Sequence, residues 1–217
     1  MRKRLQLKVC GMRDSDNVRQ VLEEIKPDYM GFIFYEKSPR YMAAPLPKEL
    51  YESWPSSTQK VGVFVKASID FIQEKINTHQ LDILQLHGDE SPEEVEAIKK
   101  ATKLPIIKVF RVGPKFDLLD MADYEAFADY FLFDTKSEAF GGTGEAFSWK
   151  VLHHYPSSIP FFLSGGVDMG MSEAIQKLSK RTPSMMALDV NSKFESSPGI
   201  KDIEKLKMLI NQPIAKI

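Results

Sequence analysis

The 217 residues carry 29 basic against 30 acidic side chains, a formal charge of −1 at pH 7. A balance this close excludes the broad field that draws a protein to nucleic acid or to an anionic membrane. The single cysteine rules out an internal disulfide, and no stretch approaches the ~18–20 unbroken apolar residues of a membrane span. The expectation is a cytoplasmic protein with a small-molecule partner.

The basic start, Met1-Arg2-Lys3-Arg4, leads into Leu5-Gln6-Leu7-Lys8, whose polar interruptions deny it the apolar core of an export signal. Eight short apolar runs then follow one another, at 5–10, 29–34, 61–65, 83–86, 106–110, 130–134, 161–164 and 185–189. Several are nearly continuous in Val, Ile, Leu and Phe, as strands covered on both faces should be. Between them, 17–25, 69–77, 92–100 and 172–179 return apolar residues at helical spacing, with Asp, Ser or Pro near the start. Strand and helix alternate, and no linker or low-complexity tract divides the chain, which predicts one domain over 1–217. Eight regular units favour a compact (β/α)8 barrel over an open doubly wound sheet, and no G-x-G-x-x-G follows the first run. The mean repeat of about 27 residues is short for this fold.

In such a barrel the residues just after each strand converge on one mouth. Run one ends Cys10-Gly11. A lone cysteine is ordinarily a small buried hydrophobe, so its place at a strand end, and not its presence, makes it a catalytic candidate. Run two leads into Tyr35-Glu36-Lys37-Ser38-Pro39-Arg40-Tyr41, a loop whose two cations suit a carboxylate as well as solvent. Run four ends Gln85-Leu86-His87-Gly88; no histidine has metal-ligand spacing, and no metal is expected. Run six places Asp134 after four apolar residues and continues to Gly141-Gly142-Thr143-Gly144, a glycine cluster suited to close backbone approach. Runs seven and eight end Ser164-Gly165-Gly166 and Asp189-Val190-Asn191-Ser192, where barrels commonly bind phosphate on exposed backbone N–H groups.

In order and spacing, Lys8–Gly11, Gly31–Tyr35 with Ser38–Tyr41, Gly62–Val65, Gln85–Gly88, Phe133–Lys136, Gly141–Gly144, Leu163–Gly166 and Asp189–Ser192, with Glu195, Pro198, Gly199, Lys201 and Asp202, resemble the phosphoribosylanthranilate isomerase family. The resemblance implies a small (β/α)8 barrel, without metal or organic cofactor, that carries out an Amadori rearrangement in tryptophan biosynthesis. It further implies Asp134 as general acid and Cys10 as general base. Arg40 would hold the anthranilate carboxylate, and Gly165, Gly166, Asn191 and Ser192 the phosphate, with Gly142, Thr143 and Gly144 closing nearby. Phe34 and Val65 are the positional candidates for an apolar wall. The chain departs from the family in having Lys193 where glycine is common. Chemically, an aspartate near ~3.9 and a thiol near ~8.5 stand in the wrong order for acid and base, so the environment must narrow the gap. Phe131, Leu132 and Phe133 are placed to desolvate Asp134, and Lys8, on the same strand face as Cys10, to favour its thiolate. A monomer or homodimer is expected. The rivals are a related sugar-phosphate isomerase that uses an aspartate pair, a non-catalytic sugar-phosphate barrel, and a redox thiol, the last lacking any resolving cysteine.

Overall fold

A computed structural model describes residues 4–113, 116–135 and 147–212. Eight parallel strands close into a barrel, with β1 (Gln6–Cys10) bonded to both β2 (Tyr29–Ile33) and β8 (Met185–Val190). Between these lie β3 (Gln59–Phe64), β4 (Ile83–Leu86), β5 (Ile106–Val112), β6 (Tyr130–Thr135) and β7 (Phe161–Ser164). The helices are α1 (Ser15–Gln20), α2 (Lys48–Glu52), α3 (Ile69–His79), α4 (Pro92–Thr102), α5 (Ser172–Arg181) and α6 (Ile203–Ile210).

Two observations explain how so short a repeat closes. After β5 and β6 the connections include 3₁₀ segments, Leu118–Tyr124 and Phe147–His154. The helix expected over 17–25 is α-helical only to Gln20 and continues as a π turn over Val21–Ile25. Three of the α-helices carry their start signals in the sequence: Ser91 caps α4 in a reciprocal capping box with Glu94, Ser68 caps α3 and Asp202 caps α6, whereas α5 starts after Met171 without a side-chain cap.

Strand parity divides the core in two. Tyr29, Val61, Ile83, Ile107, Val109, Leu132, Phe162 and Ala187 pack together inside the barrel, while residues of opposite parity, such as Phe32, Phe64, Leu84 and Phe131, pack in the layer beneath the helices. Moving up each strand by two residues from the inner cluster leads to Gly31, Val63, Gln85, Asp134, Ser164 and Asp189. The barrel's inner face thereby changes from apolar to polar toward the carboxyl ends.

Phe34 belongs to the outer layer, contrary to the role expected for it. It stacks on Phe64 with centroids 5.3 Å apart and tilts against His79 at 4.7 Å. His79, closing α3, is buried, and its Nδ1 lies 3.1 Å from the Tyr51 hydroxyl. Burial, with Lys75 nearby, pushes its pKa down to about 4 from 6.5. Between those values the unfolded chain binds a proton that the folded one refuses, so stability is lost as pH falls through that window. Thermal melts from pH 7 to 4 should show a steeper acid-side decline for this protein than for His79→Gln; parallel curves would mean that His79 protonates freely in the fold.

Candidate active site

Cys10, Ile33, Val63, Gln85, His87, Asp134, Ser164, Gly165, Gly166, Asp189, Asn191, Ser192 and Lys193 are among the residues lining one cavity of about 200 Å³ at the carboxyl ends of the strands. The cysteine and the aspartate singled out in the sequence therefore share a space with the glycine turn after β7 and the polar turn after β8. A larger cavity of about 600 Å³, lined by Arg4, Ser158, Lys180 and Met186 among others, does not include these residues. The candidate site is thus the smaller of the two cavities, chosen by its place at the strand ends and not by volume.

Cys10 is a free, buried thiol opposite Gly31 in the β1–β2 register. That glycine leaves the thiol its room, since an added Cβ would lie 2.8 Å from Sγ. Directly below, Lys8 is fully buried, and its Nζ donates to Asp189 Oδ1 at 2.8 Å; Ser164 Oγ donates to the other carboxylate oxygen at 3.1 Å. Burial opposes the Lys8 ammonium, but Asp189 and Cys10 outweigh it and hold its pKa above the ordinary value. The thiol behaves otherwise than expected. Burial pushes Cys10 above its ordinary 9.0, and the pull of Lys8 and Lys201 toward the thiolate does not overcome that cost, partly because Asp189 pushes back. Lys8 is the right neighbour but a neutralised one.

Asp134 ends the inner face of β6 with about a third of its side chain exposed. Its Oδ2 lies 3.3 Å from His87 Nε2, and His87 Nδ1 lies 3.1 Å from Gln85 Nε2. If the amide nitrogen faces Nδ1, that ring nitrogen is the acceptor and Nε2–H donates to Asp134. Gln85 Oε1 is buried without a hydrogen-bond partner among the described residues. A lone histidine signals little in a sequence; the available clue to His87 is its place just past the end of β4, two residues beyond Gln85 and so of the same parity.

Gly165 and Gly166 have φ of +83° and +66°. Two successive left-handed residues make a turn that only glycine enters cheaply, and without side chains it lets a ligand approach the backbone closely. Across β8 the chain continues as a 3₁₀ turn, Ser192–Phe194. Lys193 is not among the positive-φ residues, so this turn does not need the family's glycine there. Its side chain lines the cavity with no ion-pair partner among the described residues. Ile33 and Val63, rather than Phe34 and Val65, give the cavity its apolar lining. Arg40 is not among the residues lining this cavity; it is bound to Glu195, with Nη2 2.6 Å from Oε2. Gly142, Thr143 and Gly144 fall outside the described residues. No cluster of three or more His, Cys, Asp or Glu suited to a metal occurs among the described residues, and no described helix is long and apolar enough to cross a membrane.

These features define the class: an enzyme built on a (β/α)8 barrel, with its chemistry at the carboxyl-end mouth. Residues 7–212 match the family model described as N-(5′-phosphoribosyl)anthranilate (PRA) isomerase. A relative from Parabacteroides distasonis named N-(5′-phosphoribosyl)anthranilate isomerase is 44% identical over 207 residues, covering 95% of this chain and 92% of its own. The solved phosphoribosyl anthranilate isomerase from Thermotoga maritima superposes with a TM-score of 0.78 at 30% identity, over 98% of both chains. Another, solved in complex with reduced 1-(o-carboxyphenylamino)-1-deoxyribulose 5-phosphate, gives 0.75 at 27% identity, again over 98% of both. The chain belongs to the N-(5′-phosphoribosyl)anthranilate isomerase family.

Proposed function

We propose that Cys10 as base and Asp134 as acid perform the isomerisation of this family. The reaction is the Amadori rearrangement of N-(5′-phosphoribosyl)anthranilate to 1-(2-carboxyphenylamino)-1-deoxyribulose 5-phosphate, a step of tryptophan biosynthesis. The supporting observation is that both side chains line one cavity with the glycine turn after β7. Asp134 gives a proton to the furanose ring oxygen, the bond from that oxygen to C1′ breaks, and an iminium forms. Cys10 then takes the acidified C2′ proton, and the resulting enolamine tautomerises to the ketone. The acid ends the step as a carboxylate and the base as a thiol, so both must be reset by proton exchange. A thiol held above its ordinary pKa is scarce as thiolate at neutral pH but is a stronger base when formed. His87 keeps the Asp134 carboxyl turned into the cavity.

Substrate contacts follow from the surroundings. Arg40 takes the anthranilate carboxylate; Gly165, Gly166, Asn191 and Ser192 take the phosphate, joined by Lys193 as a further cation; Ile33 and Val63 meet the ring. Gly142, Thr143 and Gly144 join the substrate-binding residues by family resemblance alone. The protein acts as a monomer or homodimer in the cytoplasm, with residues 1–217 as one domain. The test is consumption of N-(5′-phosphoribosyl)anthranilate by the purified protein, followed by fluorescence. Turnover should persist after exhaustive chelation; loss with EDTA, restored by a divalent cation, would contradict a purely acid–base mechanism.

A further inference from the structure

We propose that Glu195, held in turn by Lys201, is the positioning residue that aims Arg40 at the substrate carboxylate and ties it to the phosphate loop. The inference rests on the reading of Arg40 as the carboxylate-binding residue and says how that arginine is made ready.

Glu195 is almost fully buried, with its side chain 4% exposed, and collects four donors. Arg40 Nε lies 2.9 and 3.0 Å from its two oxygens, and Arg40 Nη2 2.6 Å from Oε2. Lys201 Nζ donates to Oε1 at 2.5 Å and the Gly199 backbone N–H to the same oxygen at 3.2 Å. The guanidinium is therefore gripped along its Nε edge. Of its five N–H groups, those on Nη1 and one on Nη2 have no partner among the described residues, and they form the end-on fork that receives a carboxylate through two parallel bonds.

Three features separate this arrangement from an incidental ion pair. First, its anchor is rigid: Lys201 sits on a short hairpin, Glu195–Ser197 with Ile200–Lys201, whose backbone is clamped to α1 by Asn17 through bonds of 2.7 and 3.0 Å. Second, Lys201 Nζ also donates to Asn191 Oδ1 at 2.7 Å, so one ammonium joins the carboxylate holding Arg40 to the loop after β8. Gly11 passes between the two ends; a Cβ there would lie 2.7 Å from both Arg40 Cδ and Asn191 Oδ1. Third, two cations share one carboxylate, leaving a positive charge uncompensated within the cluster. Burial disfavours the Glu195 carboxylate, but its bonds from Arg40 and Lys201 prevail and hold its pKa below the ordinary range. The same bonds hold the Arg40 guanidinium above its ordinary pKa, while its outer fork is left facing away from Glu195, in the geometry that suits a carboxylate.

The experiment compares the unaltered protein, Arg40→Ala and Glu195→Gln by competitive inhibition with two probes. One is reduced 1-(o-carboxyphenylamino)-1-deoxyribulose 5-phosphate; the other is the same molecule prepared from aniline, lacking only the ring carboxylate. The ratio of the two inhibition constants is measured within one preparation, so a misfolded fraction cancels. Both substitutions should shrink the ratio, by about tenfold for Glu195→Gln, with KM rising more than kcat falls. Glu195→Asp, which keeps the charge and shortens the reach, should lie between. If Arg40→Ala shrinks the ratio and Glu195→Gln does not, Glu195 is structural and the inference is overturned while Arg40 keeps its role. If neither changes it, the carboxylate is bound elsewhere and both readings fall.

Discussion

Replacing Asp134 by Asn should lower kcat by more than ~100-fold, with KM little changed. The amide has the shape of the carboxyl group and still accepts from His87 Nε2, which lies 3.3 Å from Asp134 Oδ2. What it lacks is a proton to give to the ring oxygen, and ring opening is the step that makes the C2′ hydrogen acidic. Because packing and the hydrogen bond survive, the loss should appear in turnover and not in binding of the reduced product analogue. Single-turnover kinetics on the purified variant would show it; near-normal turnover would remove Asp134 from the mechanism. His87→Ala should cost less than Asp134→Asn, since it leaves the acid in place and removes only its tether.

The fold was legible because parallel strands buried on both faces leave nearly continuous apolar runs. The runs over 83–86 and 161–164 coincide with β4 and β7, and the others differ from their strands by one or two residues at the ends. The 3₁₀ connections after β5 and β6 were not visible, since short non-α segments lack the repeated apolar face that periodicity detects. At the site, Cys10, Asp134, Gly165 and Gly166 could be named because a strand end fixes where a side chain goes. Phe34 was misplaced for want of one residue of parity: β2 ends at Ile33, and the inner face belongs to Tyr29, Gly31 and Ile33. Glu195 and Lys201 lie 155 and 161 residues from Arg40, and only the closed barrel brings β8 beside β1 and so unites them. Charge balance was equally hidden. Lys8 reads as an activating cation until the register sets Asp189 directly across from it.

Cys10→Ala should likewise lower kcat by more than ~100-fold, because the C2′ proton then has no acceptor in place. The thiol offers a second, independent readout, since it is the chain's single cysteine and every thiol modification reports on it. Its pKa is raised above 9.0, burial outweighing the attraction of Lys8 and Lys201. Ionisation of the free enzyme's thiol should therefore run later than for an exposed cysteine, and inactivation by a small alkylating reagent should still be accelerating beyond pH 9. Removing Lys201 as Lys201→Met should push that rise to higher pH still, because one of the two favourable charges is gone. Inorganic phosphate or the reduced product analogue should slow alkylation, as Cys10 shares its cavity with Gly165, Gly166 and Ser192. A thiol that resists the reagent until the protein unfolds, with no protection by ligand, would be a packed core residue, and the base would have to be sought elsewhere on the mouth.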